Sequence, residues 1–209
     1  MTGFWTLLGP DFSGKSTLLS RLHTEHGWHV VSYDDRYLEG SPLVRQLRET
    51  WVDGAFARTG RPYSPELVLA VLHPIVLHLR DELARAANRE KVVVDSYYYK
   101  LLAKCALLGV EHRELFDYWR TFPRPTGVVY LDLPSAVGWA RSGGGHRLNA
   151  FEYLGAEPTE AGFARLQDEL RGALLKEVAE LPLTVLDADV PPASLLARVR
   201  EVIEPRAAR

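Results

Sequence analysis

Short apolar runs alternate along this chain with longer segments of helical periodicity. Five runs have the length and the branched or aromatic composition of buried strands; they span residues 4–8, 28–33, 91–95, 127–132 and 183–186. The segments between them repeat apolar side chains every three or four positions, and these predicted helices span residues 15–25, 42–51, 64–88, 97–108, 111–121, 134–141, 159–180 and 192–203. The alternation predicts an α/β fold in which helices flank a five-stranded parallel sheet.

A glycine-bearing segment, GPDFSGKST at residues 9–17, joins the first predicted strand to the first predicted helix. Its spacing is that of a phosphate-binding P-loop, and the strand before it and the helix after it are the expected context. Lys15 can reach the β- and γ-phosphates of a nucleotide, and the Ser16 hydroxyl is a ligand for Mg²⁺. The motif therefore predicts a P-loop nucleoside triphosphate hydrolase fold with a bound nucleotide. The residues predicted to hold this nucleotide are Gly9, Phe12, Ser13, Gly14, Lys15, Ser16 and Thr17.

Acidic residues lie at predicted strand ends, which meet at one edge of a parallel sheet. Asp95 ends the strand at 91–95 and is predicted to bind Mg²⁺, with a helix N-cap as the alternative. Asp11 and either Asp34 or Asp35 can orient the acceptor of a phosphoryl group. For Asp34 and Asp35 a role in a turn or as a helix cap is the alternative. An attacking hydroxyl needs a carboxylate to take its proton, whereas an attacking phosphate needs cations around it.

Two arginines, Arg141 and Arg147, flank a run of three glycines. This composition predicts a lid over about residues 141–150, in which the arginines stabilise the charge of a migrating phosphoryl group. A solvated loop without a chemical role is the alternative interpretation.

Aromatic and basic residues follow Asp95. Tyr97 is predicted to stack on the base or sugar of the acceptor, and Lys100 is predicted to bind the acceptor, with a solvated stripe as the alternative. Lys104 lies one helical turn beyond Lys100 on the same face. Three consecutive tyrosines cannot share a helix face, so we expect at least one of residues 97–99 in the core and another at the surface.

The 209 residues suit one kinase-sized α/β domain over residues 1–209. The 25 basic and 27 acidic residues give a formal charge of -2, which favours neither nucleic acid nor a membrane surface as a partner. Cys105 is the single cysteine, so it forms no internal disulfide, and a buried thiol in a reducing cytoplasm is expected. A signal peptide or a transmembrane helix is not expected.

The chain resembles the thymidylate kinase family of P-loop nucleoside and nucleoside monophosphate kinases over nearly its whole length. The segments that carry the resemblance are LLGPDFSGKSTL, VVVDSYYYK, VVYLDLPSAVGWAR and LTVLDAD. The resemblance implies ATP with Mg²⁺ as the donor and transfer of the γ-phosphoryl group. It assigns Lys15 and Ser16 to the donor phosphates and the metal, Asp11 to the acceptor sugar, and Arg141 and Arg147 to the lid. It also implies a homodimer.

The departures from the family lie on the acceptor side. Asp95-Ser96-Tyr97 stands where the family has Asp-Arg-Tyr, and His73-Pro74-Ile75 stands where a second arginine is usual. Paired cations suit a dianionic phosphate, and Arg36, Lys100 or Lys104 are available replacements.

The predicted function is therefore an ATP- and Mg²⁺-dependent kinase whose acceptor is a nucleoside monophosphate or a nucleoside. A kinase of a hydroxyl group on a non-nucleotide small metabolite is the alternative, because Asp34-Asp35 resembles the acidic turn of such enzymes. A GTPase-type switch is disfavoured, since the sequence lacks the Asn-Lys-x-Asp and Asp-x-x-Gly motifs.

Overall fold

The computed structural model describes residues 3–38, 40–49, 64–107, 109–110, 112–149 and 152–204. In these segments five strands form one parallel sheet of order β2-β3-β1-β4-β5. The strands are β1 (Trp5–Leu8), β2 (His29–Val31), β3 (Val92–Asp95), β4 (Gly127–Asp132) and β5 (Leu183–Asp187). The predicted five-stranded parallel sheet is therefore confirmed, and β1 lies at its centre.

Helices cover the regions between the strands. They are α1 (Lys15–His26), α2 (Pro42–Leu47), α3 (Pro65–Arg85), α4 (Tyr99–Leu107), α5 (Arg113–Arg120), α6 (Ser135–Arg141), α7 (Glu160–Glu177) and α8 (Pro192–Ile203), with a short 3-10 helix at Asp35–Tyr37. Side-chain caps lie at three of the starts: Ser64 accepts from the Leu67 amide before α3, His112 accepts from the Leu115 amide before α5, and Thr159 accepts from the Gly162 amide before α7. The end of the helix predicted at 42–51 falls outside the described residues.

Alternating strand residues face two apolar layers. Leu7, Val93 and Val129 pack with buried leucines of α1 and α8 on one face of the sheet. Val94 and Val128 pack with α3, α4, α5 and α7 on the other face. Both faces of the sheet are covered, as parallel sheets require. None of the described helices is long and apolar enough to cross a membrane.

The three consecutive tyrosines depart from the prediction. Tyr97, Tyr98 and Tyr99 are all buried, with at most 3% of each residue exposed. Ser96 and Tyr97 have left-handed backbone conformations, with φ of 59° and 47°, so the chain turns sharply before α4 begins at Tyr99. The expectation of one surface tyrosine is wrong because it assumed that all three residues belong to one helix.

Candidate active site

A cavity of about 780 Å³ opens at the carboxyl end of β1. The P-loop after β1 forms its floor, and elements on either side of β1 in the sheet form its walls. On what we call the β2–β3 side, the lining residues are Tyr33, Asp34, Arg48, Asp95, Ser96 and Lys100. On the β4–β5 side they are Arg141, Arg147, Glu152, Ala188, Val190, Pro192 and Leu195.

The P-loop has the backbone geometry that its glycines permit. Gly14 caps α1 with φ of 88°, and a Cβ atom at Gly9 would lie 2.7 Å from the Leu131 carbonyl oxygen. The Lys15 ammonium donates to the Gly9 and Pro10 carbonyls, each at 3.3 Å. The buried Ser13 hydroxyl has no hydrogen-bond partner among the described residues. A loop with an unpaired buried donor and a lysine held at long distances fits an incoming phosphate.

Burial makes Lys15 less basic than an ordinary lysine. Removal from solvent, with repulsion from the nearby Lys100, lowers the pKa of Lys15 to about 7, although Asp95 and Asp11 oppose the shift. An anion beside Lys15 would favour its charged form, so phosphate binding and protonation of this amine support one another.

Asp95 is held by two serine hydroxyls at the end of β3. Ser96 donates to one carboxylate oxygen at 2.9 Å, and Ser32 donates to the other at 3.2 Å. Asp95 lines the cavity together with Ser16. The described residues contain no cluster of three or more histidine, cysteine or acidic side chains that could hold a metal. One carboxylate and one hydroxyl fit Mg²⁺, which prefers few protein ligands together with phosphate oxygens and water.

Asp11 forms a buried network that crosses the domain. Its carboxylate accepts from Lys100 at 2.6 Å and from the Gln167 amide at 3.1 Å, and it lies 3.4 Å from the Lys104 ammonium. The Asp11 backbone N–H donates to the Gln167 side-chain oxygen at 2.9 Å. Burial raises the pKa of Asp11, but the charges of Lys100, Lys104 and Lys15 outweigh it and hold this pKa well below its usual range. Asp11 is therefore a weak base.

The two carboxylates of the turn after β2 differ in position: Asp34 lines the cavity and Asp35 is exposed to solvent. Asp34 lines the cavity, but it caps the 3-10 helix and accepts from the Arg36 guanidinium at 2.9 Å. Hydrogen bonds from Arg36 hold the pKa of Asp34 below its ordinary value. Asp35 is exposed and pairs with Arg48 at 2.8 Å. Neither Asp35 nor Arg36 lines the cavity, so the cap interpretation describes this turn better than two free acceptor ligands.

Arg48 is a cavity residue that the sequence reasoning missed. It follows α2, lines the β2–β3 side, and has a buried Nε without a hydrogen-bond partner among the described residues. No local motif distinguishes it from the neighbouring Arg45, which does not line the cavity. Its role depends on how the segment after β2 folds back over the sheet.

The two arginines that were predicted to lie in a lid, Arg141 and Arg147, both approach Phe12 of the P-loop. Arg141 lies 3.5 Å from the Phe12 carbonyl oxygen and pairs with Asp189 at 3.2 Å. The Arg147 guanidinium lies 5.8 Å from the centre of the Phe12 ring. The glycine run forms a turn in which a side chain at Gly145 would meet the Trp139 ring. Residue 150, the predicted end of the lid, is outside the described residues.

Gln167 links Glu152 to the P-loop. Gln167 donates to the Glu152 carbonyl at 3.4 Å as well as to Asp11. Burial, followed by the negative charge of Asp11, raises the pKa of the Glu152 carboxyl. Gln167 lies 156 residues from Asp11, and no pattern in the sequence indicates that they meet.

The structure brings most of the predicted site residues together. Those that line the cavity are Asp11, Phe12, Ser13, Gly14, Lys15, Ser16, Thr17, Asp34, Asp95, Lys100, Arg141 and Arg147. Gly9 is buried beneath the loop. Asp35, Arg36 and Tyr97 do not line it. Tyr97 is fully buried against Phe4 and Tyr98, so the prediction that it stacks on the acceptor is corrected: the left-handed turn at residues 96–97 directs the ring into the core.

Sequence comparison finds thymidylate kinases. The chain is 29% identical over 205 residues to a thymidylate kinase of Akkermansia muciniphila, across 95% of this chain and 89% of that enzyme. It is 31% identical over 137 residues to a thymidylate kinase of Xanthomonas euvesicatoria pv. vesicatoria, across 64% of this chain and 57% of that enzyme. No protein-family description matches the chain.

Structural comparison finds the same fold in a solved kinase. A deoxyadenosine kinase from M. mycoides with bound dATP covers 96% of this chain and 98% of its own, with a TM-score of 0.62 and 15% identity. A second structure of that enzyme, with dCMP and dCDP bound, has a TM-score of 0.64. Together the sequence relatives, the P-loop and the fold indicate a kinase that is similar to the thymidylate kinase-like P-loop nucleoside and nucleoside monophosphate kinases.

Proposed function

We propose that the protein is an ATP- and Mg²⁺-dependent phosphotransferase that acts on a nucleoside monophosphate. The observation that carries the proposal is the buried Lys15 in a P-loop that forms the floor of a cavity with cations on both sides. The proposal covers one kinase domain over residues 1–209 with a lid at about 141–150, allows a homodimer, and includes a cytoplasmic location.

The β4–β5 side suits the donor nucleotide. Ala188, Val190 and Leu195 provide apolar surface for a base, and Arg141 lies between this surface and the P-loop. Lys15 and the backbone N–H groups of the loop bind the phosphates, and Ser16 and Asp95 hold Mg²⁺. When bound, the metal neutralises charge on the donor phosphates.

The transfer forms one P–O bond and breaks another. An oxygen of the acceptor phosphate attacks the γ-phosphorus of ATP, and the bond from that phosphorus to the β,γ-bridging oxygen breaks. ADP leaves with the electron pair, and the acceptor becomes a diphosphate. Lys15 and the lid arginines stabilise charge on the migrating group. A hydroxyl acceptor would in addition have to lose a proton to a carboxylate.

The charges around the cavity favour the phosphate acceptor. The described lining residues include six cations, Lys15, Arg21, Arg48, Lys100, Arg141 and Arg147, and four carboxyl groups, Asp11, Asp34, Asp95 and Glu152. The pKa values of Asp11 and Asp34 are lowered, which makes both poor bases. A nucleoside hydroxyl is the second candidate acceptor, supported by the position of Asp34 at the cavity wall.

An acceptor panel tests the proposal. Purified protein is incubated with ATP and Mg²⁺ and with each deoxynucleoside, each monophosphate and a set of hydroxylated metabolites, and ADP and phosphorylated product are measured. We expect turnover of at least one monophosphate that stops when EDTA removes the metal. Turnover of a metabolite hydroxyl alone, or of no acceptor, would contradict the proposal.

A further inference from the structure

Three of the chain's five lysines, Lys15, Lys100 and Lys104, converge beside Asp11. The side chains of Lys100 and Lys104 are 11% and 19% exposed, and both ammonium groups lie within ion-pair distance of the Asp11 carboxylate, at 2.6 and 3.4 Å. The Asp11 side chain is 9% exposed. One buried and one half-buried ammonium group therefore share one buried carboxylate.

This arrangement leaves a positive charge in excess within the network. A buried carboxylate neutralises one ammonium, and an additional buried cation is unfavourable unless another anion approaches it. Glu152 also lies close enough to interact with the lysines; burial and the charge of Asp11 raise the pKa of its carboxyl, and burial lowers the pKa of Lys104. The ammonium groups around Asp11 can therefore bind a further anion.

The two lysines differ in their access to such an anion. Lys100 lines the cavity, on the β2–β3 side of the P-loop, whereas Lys104 contacts Asp11 but does not line the cavity. Gln167 holds Asp11 from the other direction, through both its carboxylate and its backbone N–H. Asp11 can therefore keep Lys104 as a counterion when Lys100 turns toward the cavity.

We propose that Lys100 binds the phosphate of the acceptor, and that Lys104 remains as the counterion of Asp11 when Lys100 does so. The inference rests on the proposed function and identifies the residues that select a phosphorylated acceptor. Lys100 contacts the substrate, whereas Asp11 and Lys104 are positioning residues. An acceptor without a phosphate has no anion that could compete with the Asp11 carboxylate for Lys100, so Lys100 stays paired with Asp11.

Wild-type selectivity is the first test. Initial rates are compared for dTMP, dCMP, dAMP and dGMP and for the matching deoxynucleosides, at saturating ATP and Mg²⁺. We expect the preferred monophosphate to have a kcat/KM at least a hundredfold above that of its nucleoside. Efficient turnover of the nucleoside as well as the monophosphate would overturn the inference and leave the proposed function in place, whereas turnover of the nucleoside alone would overturn both. Turnover of neither compound would overturn the proposed function, and the inference with it.

Lysine variants provide the second test. Lys100→Met should raise the KM of the monophosphate at least tenfold and the KM of ATP less than threefold, and Lys100→Arg should restore part of the lost affinity because the charge is retained. Lys104→Met should raise the monophosphate KM severalfold, since Lys100 then remains paired with Asp11. Lys176→Met, on the exposed part of α7, is the matched control.

The variants also separate binding from folding. Thermal unfolding identifies any variant that is not folded at the assay temperature, and Lys100→Arg keeps the question open to measurement if Lys100→Met fails to fold. If both Lys100 variants fold and leave the monophosphate KM within twofold of wild type, the inference is wrong. An equal rise in the KM of ATP and of the monophosphate would also contradict it, because it would indicate general damage to the site.

Discussion

The P-loop and the β2–β3 side of the cavity are built in different ways. The Lys15 ammonium contacts carbonyl oxygens only five and six residues away along the chain. Lys100, by contrast, contacts Asp11 from 89 residues away, and Gln167 contacts it from 156 residues away. The P-loop follows from a local motif, whereas the β2–β3 side depends on buried ion pairs between distant segments. Changes to Lys15 should therefore affect catalysis, and changes to the buried pair of Asp11 and Lys100 should also affect folding.

Removal of the P-loop lysine should have the largest effect. Lys15→Ala deletes the cation that is proposed to contact the donor phosphates, and we expect kcat to fall by about a thousandfold or more. The temperature of unfolding should stay close to that of wild type, because a buried lysine with a lowered pKa contributes little to stability. Steady-state kinetics and thermal unfolding measure the two effects. Near-normal kcat in the variant would contradict the proposed mechanism.

Loss of the buried carboxylate should instead destabilise the protein. Asp11→Asn leaves Lys100 and Lys104 without their shared anion, and the free energy of unfolding should fall by about 3–5 kcal/mol. Asp189→Asn, which removes the exposed partner of Arg141, should cost less than about 1 kcal/mol. Urea unfolding of both variants checks the contrast. Equal losses would show that the buried pairs of Asp11 contribute no more to folding than an exposed ion pair.

The free energy of unfolding at acid pH should also distinguish the buried pairs of Asp11 from an exposed ion pair. The pKa of Asp11 lies below its unfolded value of 3.8, so the folded state resists protonation and the stability from Asp11 is present above this value. As the pH falls below 3.8, the unfolded chain takes up the proton first and this stability is lost. The free energy of unfolding should thus decline between about pH 5 and 2 more steeply in wild type than in Asp11→Asn. Asp132→Asn, at an exposed pair with Arg171, should keep most of the wild-type slope.

Arg48 should have a moderate effect on the acceptor. It lines the β2–β3 side, and its Nε is free of partners in the described structure, so Arg48→Ala should raise the acceptor KM about tenfold. The KM of ATP should change much less, because the donor lies on the β4–β5 side in the proposed arrangement. Acceptor titrations at saturating ATP measure this value, and a greater effect on ATP would reverse the assignment of the two sides.

Arg36 should have the smallest effect, despite its prediction as an acceptor ligand. It is exposed, pairs with Asp34 and does not line the cavity. Arg36→Ala should keep the acceptor KM within about twofold and reduce stability by less than about 1 kcal/mol. A loss of acceptor affinity as large as that of Arg48→Ala would restore the original prediction.

Sequence reasoning succeeded where the chemistry is local. The strands, the helices and the P-loop are each encoded in fewer than 30 consecutive residues, and periodicity or spacing predicted them. Sequence reasoning was less successful at residues 34–36 and 97. A charged or aromatic side chain beside the end of a strand can face the cavity, the solvent or the core, and the local sequence does not show which. The backbone turn at Ser96 and Tyr97 decided this for Tyr97, and non-glycine residues with positive φ are rarely predictable from composition.

By itself, the sequence predicted an α/β fold with a phosphate-binding loop, since nine consecutive residues contain the glycines, lysine and serine of the P-loop motif. The tertiary structure alone decided which cations face the cavity. Lys100 and Lys104 meet Asp11 only because β1 and β3 are neighbours in the sheet and α4 starts directly after β3. Packing then gives these two lysines one shared counterion, and packing is a property of the fold rather than of any local pattern.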